Sequence, residues 1–381
     1  MEKTKQGQIQ ITFHWIYIVI AGAIILLFFV GLVVKQKAVS EEQLSFEVVQ
    51  IMESIFTAAE VSESTKNSID ISGLADTEFF FNCEDGVSNF GIQEQGTRVQ
   101  NSINPMFSMK TIQAPRLVLW SLPYKLPYKV IDFLFVIPSN AKYVLIGEDD
   151  FSDEFERAAS TKKETDENGE TPELTPREEL LKIDVEYKEI LQIDPGASSH
   201  VRLIVVNDNQ PPDIPSSSKL STLPDDKVSA VVFSGNTVQY YRKSANSFVQ
   251  DGSPVPLIMV PGERQAAKYA AIFAGDDDIY KCGMQKAFTR LTYLSEIYTS
   301  KTADIIDFYD GQTDNICYST FTSIGTNNIQ QEFNVYLSAV NTCNVAITLS
   351  EFDSCTSLIV SAVNLMTLNK DMRDTNCIAL Y

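Results

Sequence analysis

The longest apolar stretch of the chain begins ten residues from its N-terminus. Residues 11–34 form a run of 24 almost entirely apolar residues. At about 1.5 Å of rise per residue, a helix of this length spans a bilayer core of roughly 30 Å. The run is longer than the apolar part of a cleaved secretory signal, and it lacks a small-residue cleavage site. We therefore predict a retained transmembrane helix at 11–34, preceded by a short tail or leader at 1–10.

A second periodic segment follows the apolar run, at residues 40–60. It opens with the capping-box sequence SEEQ at 40–43 and continues with apolar residues at helical spacing. The pattern predicts an amphipathic stalk helix with one apolar stripe, formed by Leu44, Val48, Ile51, Met52, Ile55 and Phe56. Two interpretations of the stripe stay open: it docks on the protein's own body, or it binds a second copy or the helix of a partner.

From residue 77 onward the pattern changes to short runs of β-branched and aromatic residues, which favour strands. Such runs predict strands at 79–83, 116–122, 130–137, 143–147, 202–207, 228–234, 236–241, 256–260 and 269–275. Helical patterns fall between them, at 151–159 and 176–191. Continuous apolar runs are typical of strands that are buried on both faces. We therefore predict the α/β class, with a mixed sheet that carries helices on its faces, for residues 77–275.

Two polar stretches interrupt this predicted domain. Residues 148–179 hold thirteen acidic and four basic residues, a net charge of −9 out of −20 for the whole chain. Within that stretch, the most polar part predicts an exposed acidic loop at 160–176. The Pro/Ser-rich residues 207–226 predict a long, solvated loop or linker. Strong negative charge also excludes nucleic acid as an expected partner.

Residues 276–381 return to helical spacing and carry most of the cysteines. Apolar residues recur at helical intervals over 279–299, 325–341 and 356–370, so we expect a helical C-terminal subdomain. The chain has an even number of cysteines and no CxxC pair, which favours disulfides over a metal site. They are Cys83, Cys282, Cys317, Cys343, Cys355 and Cys377.

The pairing of the six cysteines is open, since fifteen arrangements are allowed. Cys343 with Cys355 is one candidate pair, and Cys83 either ties the sheet to the helical layer or stays unpaired. Lysines flank the apolar run equally on both sides, so charge does not orient it. Disulfides require an oxidising compartment, so we expect a cytoplasmic N-terminus and a body outside the cytoplasm, in a single-pass cell-membrane protein.

The first twelve residues, MEKTKQGQIQIT, carry a further signal. Lys5, Gly7 and Gln8, followed by an uninterrupted apolar helix, resemble the class III signal of archaeal type IV pilin-like proteins, although positions 6, 10 and 12 differ from the family pattern. The resemblance covers about 30 of the 381 residues and implies leader cleavage between Gly7 and Gln8. The layout of the whole chain is also similar to single-span archaeal surface proteins.

Candidate chemistry is sparse. Neither a phosphate-binding glycine loop nor a GxSxG elbow is present, and His200 is the one histidine outside the apolar run. Acidic clusters end two predicted strands, GEDD at 147–150 and GDDD at 275–278. Carboxylates at such ends hold divalent cations or cap the next helix. The candidate cation ligands are Asp276, Asp277 and Asp278, and no other cofactor is predicted.

Two functions remain. The first is a non-enzymatic, membrane-anchored surface protein for cell-surface interaction, envelope organisation or pilus-like assembly, bound to the membrane through 11–34 and to itself or a partner through the stalk helix. The second is an anchored enzyme or solute-binding receptor with an acidic, cation-dependent site. It predicts a pocket where Asp149 and Asp150 converge with Asp276 to Asp278.

Overall fold

A computed structural model describes residues 46–59, 64–93, 98–101, 104–161, 173–312, 314–318, 329–349 and 353–381. The predicted transmembrane helix at 11–34 and the junction between Gly7 and Gln8 lie outside these ranges, as do residues 162–172 of the predicted acidic loop. Within the ranges, no helix is both long enough and apolar enough to cross a membrane.

The strands of the described ranges form three sheets. In chain order they are β1 (Lys66–Asp70), β2 (Phe79–Glu84), β3 (Val87–Ile92), β4 (Arg98–Asn101), β5 (Met106–Ser108), β6 (Thr111–Ile112), β7 (Arg116–Lys125), β8 (Lys129–Pro138), β9 (Ala141–Ile146), β10 (Asp184–Tyr187), β11 (His200–Val206), β12 (Val228–Ser234), β13 (Thr237–Ser244) and β14 (Ser247–Pro256). The central sheet has the order β10-β9-β11-β12-β13-β14, the second sheet β1-β7-β8-β5, and the N-terminal sheet β4-β3-β2-β6.

The helices lie before, between and after the strands. They are α1 (46–59), α2 (Asp150–Ala159), α3 (Pro176–Leu181), α4 (Ala266–Phe273), α5 (Asp277–Tyr309), α6 (Ile329–Leu349) and α7 (Asp353–Asp374). The α/β class and the helical C-terminal region are therefore confirmed. The expectation of one mixed sheet is wrong, because the strands divide among three sheets.

The central sheet is itself mixed. β10, β9, β11 and β12 run parallel, whereas β13 and β14 are antiparallel additions at one side. The turn between β12 and β13 brings Ser234 opposite Thr237, so the strands predicted at 228–234 and 236–241 form a hairpin. The parallel strands place their amino ends, at residues 141, 200 and 228, along one edge of the sheet. That edge forms the site described below.

Residues 269–275, predicted as a strand, instead belong mostly to α4. This helix is sandwiched between the second and central sheets: the ring of Tyr269 lies 5.1 Å from Trp120, and that of Phe273 lies 5.4 Å from Tyr143. A short segment buried on all sides is apolar on all sides, so its sequence has no helical period. The prediction was wrong for this reason.

Two other predicted elements differ at their bounds. The helix expected over 176–191 ends at Leu181, and a short edge strand, β10, follows it. The strand expected over 256–260 is not formed, since β14 ends at Pro256. The first segment mixes apolar and polar residues, and there helix and strand patterns are hard to distinguish. The second, 256–260, is a short and entirely apolar run, which periodicity alone cannot assign.

The Pro/Ser-rich stretch 207–226 covers one face of the central sheet. Ile214 and Leu220 from this stretch are 2% and 0% exposed and join a cluster with Leu203 and Val232. The Ser218 hydroxyl donates to the Ile190 carbonyl at 3.0 Å, which fixes the loop at its middle. This stretch is therefore an irregular layer of the core rather than a solvated linker.

The apolar stripe of the stalk helix docks on the body. In α1, Val49, Met52 and Phe56 are buried in the main core, and the Phe56 ring lies 6.4 Å from Phe81 and 5.2 Å from Phe90 of the N-terminal sheet. This contact confirms the first interpretation of the stripe for residues 46–59. Ile51 remains 60% exposed.

All six cysteines form disulfides. Cys343 pairs with Cys355 and joins α6 to α7, as predicted, while Cys317 pairs with Cys377. Cys83 of the N-terminal sheet pairs with Cys282 of α5 across 199 residues of sequence. Of the two predicted alternatives for Cys83, the bond between sheet and helical layer is therefore the one that forms. The disulfide expectation is confirmed.

Candidate functional site

The two acidic clusters lie at opposite ends of α4. Near its N-terminus, Asp149 caps α2: its carboxylate accepts a hydrogen bond from the Ser152 backbone N–H at 2.8 Å. The Ser152 hydroxyl in turn accepts one from the Asp149 backbone N–H, which completes a capping box. Lys268 of α4 lies 3.9 Å from the same carboxylate. The length of α4 separates Asp149 from Asp276, so the two clusters do not line one common pocket near Asp149, Asp150 and Asp276 to Asp278.

At the other end of α4, Asp276 caps α5. Its carboxylate accepts from the Ile279 backbone N–H at 2.9 Å and forms an ion pair with Lys110. Asp277 is paired with Lys281 at 2.6 Å and packs against the backbone of Gly252. The capping interpretation of both acidic clusters is thus confirmed.

The candidate cation ligands are largely occupied by these contacts. Asp276 and Asp277 each face a lysine, whereas Asp278 is exposed. The partial desolvation of the Asp278 carboxyl and the charges of its two acidic neighbours raise its pKa. No group of three or more acidic, histidine or cysteine side chains in the described ranges is arranged to hold a metal ion. A divalent cation at Asp276 to Asp278 stays a prediction, and it would have to displace two ammonium groups.

A cleft of about 340 Å³ opens at the amino edge of the central sheet, beside the end of α4. Its floor is one face of the sheet, where Arg202, Ser229 and Arg242 stand side by side on β11, β12 and β13. The walls come from residues 109–113, from Gly275 and from the turn at 225–228. We call this cavity the amino-edge cleft.

Arg202 anchors the floor of the cleft. Its side chain is 1% exposed, and its guanidinium donates to the carbonyls of Ile272 (3.0 Å), Ala274 and Gly275 (3.2 Å). These carbonyls end α4 and would otherwise lack partners, and a cation at a helix C-terminus also favours the helix dipole. Burial lowers the pKa of Arg202, although nearby Tyr240, Tyr143, Asp276 and Asp251 oppose that effect.

His200 and Ser229 meet in the same cleft, with Nε2 of the imidazole 2.9 Å from the Ser229 hydroxyl. Burial, aided by the charges of Arg202 and Lys227, lowers the pKa of His200 to about 3, so the ring is neutral at physiological pH. A general base works best with a pKa near the operating pH. His200 is therefore a weak base for activating the serine, and the pair is better suited to hydrogen bonding.

Charged side chains of both signs line the cleft in equal numbers: Lys110, Arg202, Lys227 and Arg242 against Glu78, Asp225, Asp226 and Asp251. Most of them are engaged within the protein. Lys227 pairs with Asp226 at 3.2 Å, and Asp225 pairs with Lys243 at 3.2 Å. Among the described residues, Arg242, Asp251 and Glu78 make no ion pair.

Sequence reasoning missed most of this site. It considered His200 on its own, in a turn before a strand, but gave no role to Arg202, Ser229, Arg242 or Asp251. One signal was available: Arg202 is the only charged residue in an otherwise apolar strand of the sequence VRLIVV. A charge in a strand buried on both faces needs dedicated partners, and so marks a site.

The chain has no match among protein-family models, curated proteins or solved structures.

Proposed function

We propose that this chain is a membrane-anchored surface protein that acts by binding, with its body outside the cytoplasm. The observation that carries the proposal is the pairing of all six cysteines in three disulfides. Such bonds persist in oxidising compartments and are rare in the cytosol. The apolar run at 11–34 supplies the anchor, and the α/β body supplies the binding surface.

Binding without catalysis is favoured by the chemistry of the amino-edge cleft. The one hydroxyl–imidazole pair there has a histidine whose pKa is about 3. Arg202 is committed to the carbonyls at the end of α4, which favours a fixed structural position. The residues are suited to hold a polar ligand by hydrogen bonds and ion pairs, as a receptor does.

Cell-surface interaction, envelope organisation and pilus-like assembly are the roles that we propose for such a body. The resemblance of residues 1–12 to a pilin-like signal supports the last of them. The alternative, a solute-binding receptor, is supported by the cleft, since a volume of about 340 Å³ lies within the range of small-molecule sites.

The experiment that tests the location is cysteine labelling on intact cells that produce the full chain. A membrane-impermeant maleimide is applied with and without reductant, and the intact mass is measured. We expect no labelling before reduction and labelling after it. Free thiols that react only after lysis would place the body in the cytoplasm and overturn the proposal.

A variant with an added thiol provides the matched control. Asp213 is exposed in the loop over the central sheet, so an Asp213→Cys variant offers a reactive group that needs no reductant. We expect this variant to label on intact cells, and its labelling only after lysis would count against an external body.

A further inference from the structure

We propose that the amino-edge cleft binds a small zwitterion of the amino-acid kind, which carries an ammonium and a carboxylate group on one short skeleton. This inference deepens the binding role proposed above and rests on it. It follows from the charges that the protein leaves without partners, from their positions on the sheet, and from the charge of the whole chain.

The unpaired charges of the cleft have both signs. Arg242, Asp251 and Glu78 line the cavity, and none of them forms an ion pair with any part of the chain that the structure describes. A purely anionic ligand would satisfy Arg242 but face the two carboxylates, and a purely cationic ligand would face Arg242 and Arg202. A ligand with both charges satisfies both signs at once.

The sheet places these charges close to each other. Arg242 lies opposite Val249 and Tyr240 lies opposite Asp251, so Arg242 and Asp251 are diagonal neighbours on one face of β13 and β14. Diagonal neighbours in an antiparallel pair have Cα atoms roughly 7–8 Å apart. Both side chains line the cleft, so a short ligand that carries opposite charges can contact both of them.

The polar groups at the centre of the cleft are fixed by contacts within the protein. Ser229 stands between Arg202 and Arg242 in the row across the strands, and its hydroxyl is within hydrogen-bond distance of His200. Arg202 is 1% exposed, is held by three carbonyls, and has one buried nitrogen, Nε, without a partner. Such fixed groups need no reordering on binding, which lowers the entropic cost.

The charge of the whole molecule also disfavours an anionic ligand. The chain carries a formal net charge of −20, so a free anion approaches against a repulsive field. The cleft itself is balanced, with four positive and four negative side chains. A zwitterion avoids the long-range repulsion and still makes two charged contacts, and the cavity of about 340 Å³ accommodates a molecule of this size.

Calorimetric titration of the full-length chain in detergent tests the proposal. Each of the common amino acids is titrated separately, and the tightest one is compared with its analogues that lack either the amino group or the carboxyl group. We expect the zwitterion to bind and each analogue to lose at least about tenfold in affinity, as loss of one charged contact predicts. A dipeptide that starts with the same residue then shows whether a free amino acid or a peptide is preferred.

Two pairs of variants connect the binding to the cleft. Arg242→Gln and Asp251→Asn each remove one unpaired charge, and we expect each to weaken binding at least about tenfold. Arg177→Gln and Asp213→Asn are matched controls, because they remove the same charges from exposed positions outside the cleft lining. We expect the controls to bind as the wild type does.

Three results would overturn the inference: no amino acid binds, an analogue with one charge binds as tightly as the zwitterion, or the cleft variants bind as the controls do. None of these results depends on which side of the membrane the body occupies. The labelling experiment decides that question separately, so failure of the ligand and failure of the location are distinguishable.

Discussion

The two ends of α4 carry nearly the same sequence, GEDD and GDDD, in very different surroundings. At the carboxyl edge of the central sheet, the Asp149 side chain is 30% exposed and Lys268 lies 3.9 Å away. At the amino edge, the Asp276 side chain is 4% exposed, pairs with Lys110 and contributes to the field around Arg202. Both residues cap a helix, but only the second belongs to a network of buried charges.

This difference shows that a short acidic motif specifies a local structure and not a site. The backbone N–H groups of a helix start select an aspartate in both places. The cleft forms at one end because the fold brings side chains to it from distant parts of the chain. They are Lys110 from the turn between β5 and β6, Arg202 from β11 and Arg242 from β13. The four predictions that follow test this contrast.

The largest contrast is expected between alanine variants of the two caps. Asp149→Ala removes one half-exposed cap and should cost about 1 kcal/mol of unfolding free energy. Asp276→Ala removes a cap and also the partner of Lys110, in a buried setting, and should cost about 2–3 kcal/mol. Denaturant unfolding midpoints measure both. The Asp276→Asn variant, which keeps the cap, should recover about half of the loss, and equal losses at the two caps would contradict the contrast.

Gly252 provides a second test of how closely the amino edge is packed. Its φ is +76°, and a Cβ atom there would lie 2.2 Å from the carboxyl carbon of Asp277, which is held by Lys281. Gly262 has a φ of +85° but open space around it. Gly262→Ala should therefore cost about 1 kcal/mol from backbone strain alone, and Gly252→Ala about 2 kcal/mol or more. Thermal unfolding of the two variants compares them directly.

The third test is pH dependence, which His200 should confer on the amino edge. Burial and the charges of Arg202 and Lys227 lower its pKa from 6.5 to about 3 on folding. Between those values the unfolded chain binds the proton and the folded chain does not, so stability falls as the pH drops. The first pH unit below 6.5 should cost about 1 kcal/mol.

Carboxylates also titrate in the lower part of this pH range, so the comparison with a variant is essential. His200→Gln keeps a hydrogen-bonding group beside Ser229 but does not titrate, and its stability should fall less steeply below pH 6.5. Unfolding curves at a series of pH values provide the measurement. Parallel profiles for the two proteins would mean that the imidazole is solvated.

The smallest expected effects have opposite signs. Asp150 and Asp278 both lie in the first turn of a helix and are both exposed. Asp150→Asn should lower stability by about 0.3–1 kcal/mol, because a negative charge favours the helix N-terminus. Asp278→Asn should raise stability slightly, since partial burial and the charges of Asp277 and Asp276 disfavour the ionised carboxylate and raise its pKa. Raising the salt concentration should reduce both effects.

Much of the secondary structure could be predicted from local patterns. The alternation and run lengths around β7, β8, β11 and β12 indicate strands, and the long C-terminal helices carry a clear period. α4 could not be recognised, because burial between two sheets removes the polar face that distinguishes a helix from a strand. The burial of Ile214 and Leu220 was not apparent either, because the Pro/Ser-rich composition of the stretch that contains them is typical of solvated loops.

The cleft was less predictable than the fold, because its residues are far apart in sequence. Arg202 meets the carbonyl of Ile272 across 70 residues, and Arg242 joins the row through the hairpin partner of β12. Composition shows only that such residues exist. The aspartate caps and the Cys343–Cys355 pair could be predicted from the sequence, because each depends on spacing within one local stretch.

The disulfide between Cys83 and Cys282 has a mechanical consequence under the proposal that the chain is anchored at its N-terminus. Cys83 belongs to β2 of the N-terminal sheet, on which α1 packs. The bond joins residues 199 apart in sequence, and all strands of the central sheet lie within the loop that it closes. A pull between the stalk and the C-terminus passes through this covalent bond and then through the bond between Cys317 and Cys377. The cleft residues from Met109 to Gly275 lie inside the closed loop and off this covalent path, whereas Glu78 precedes Cys83 and lies on it.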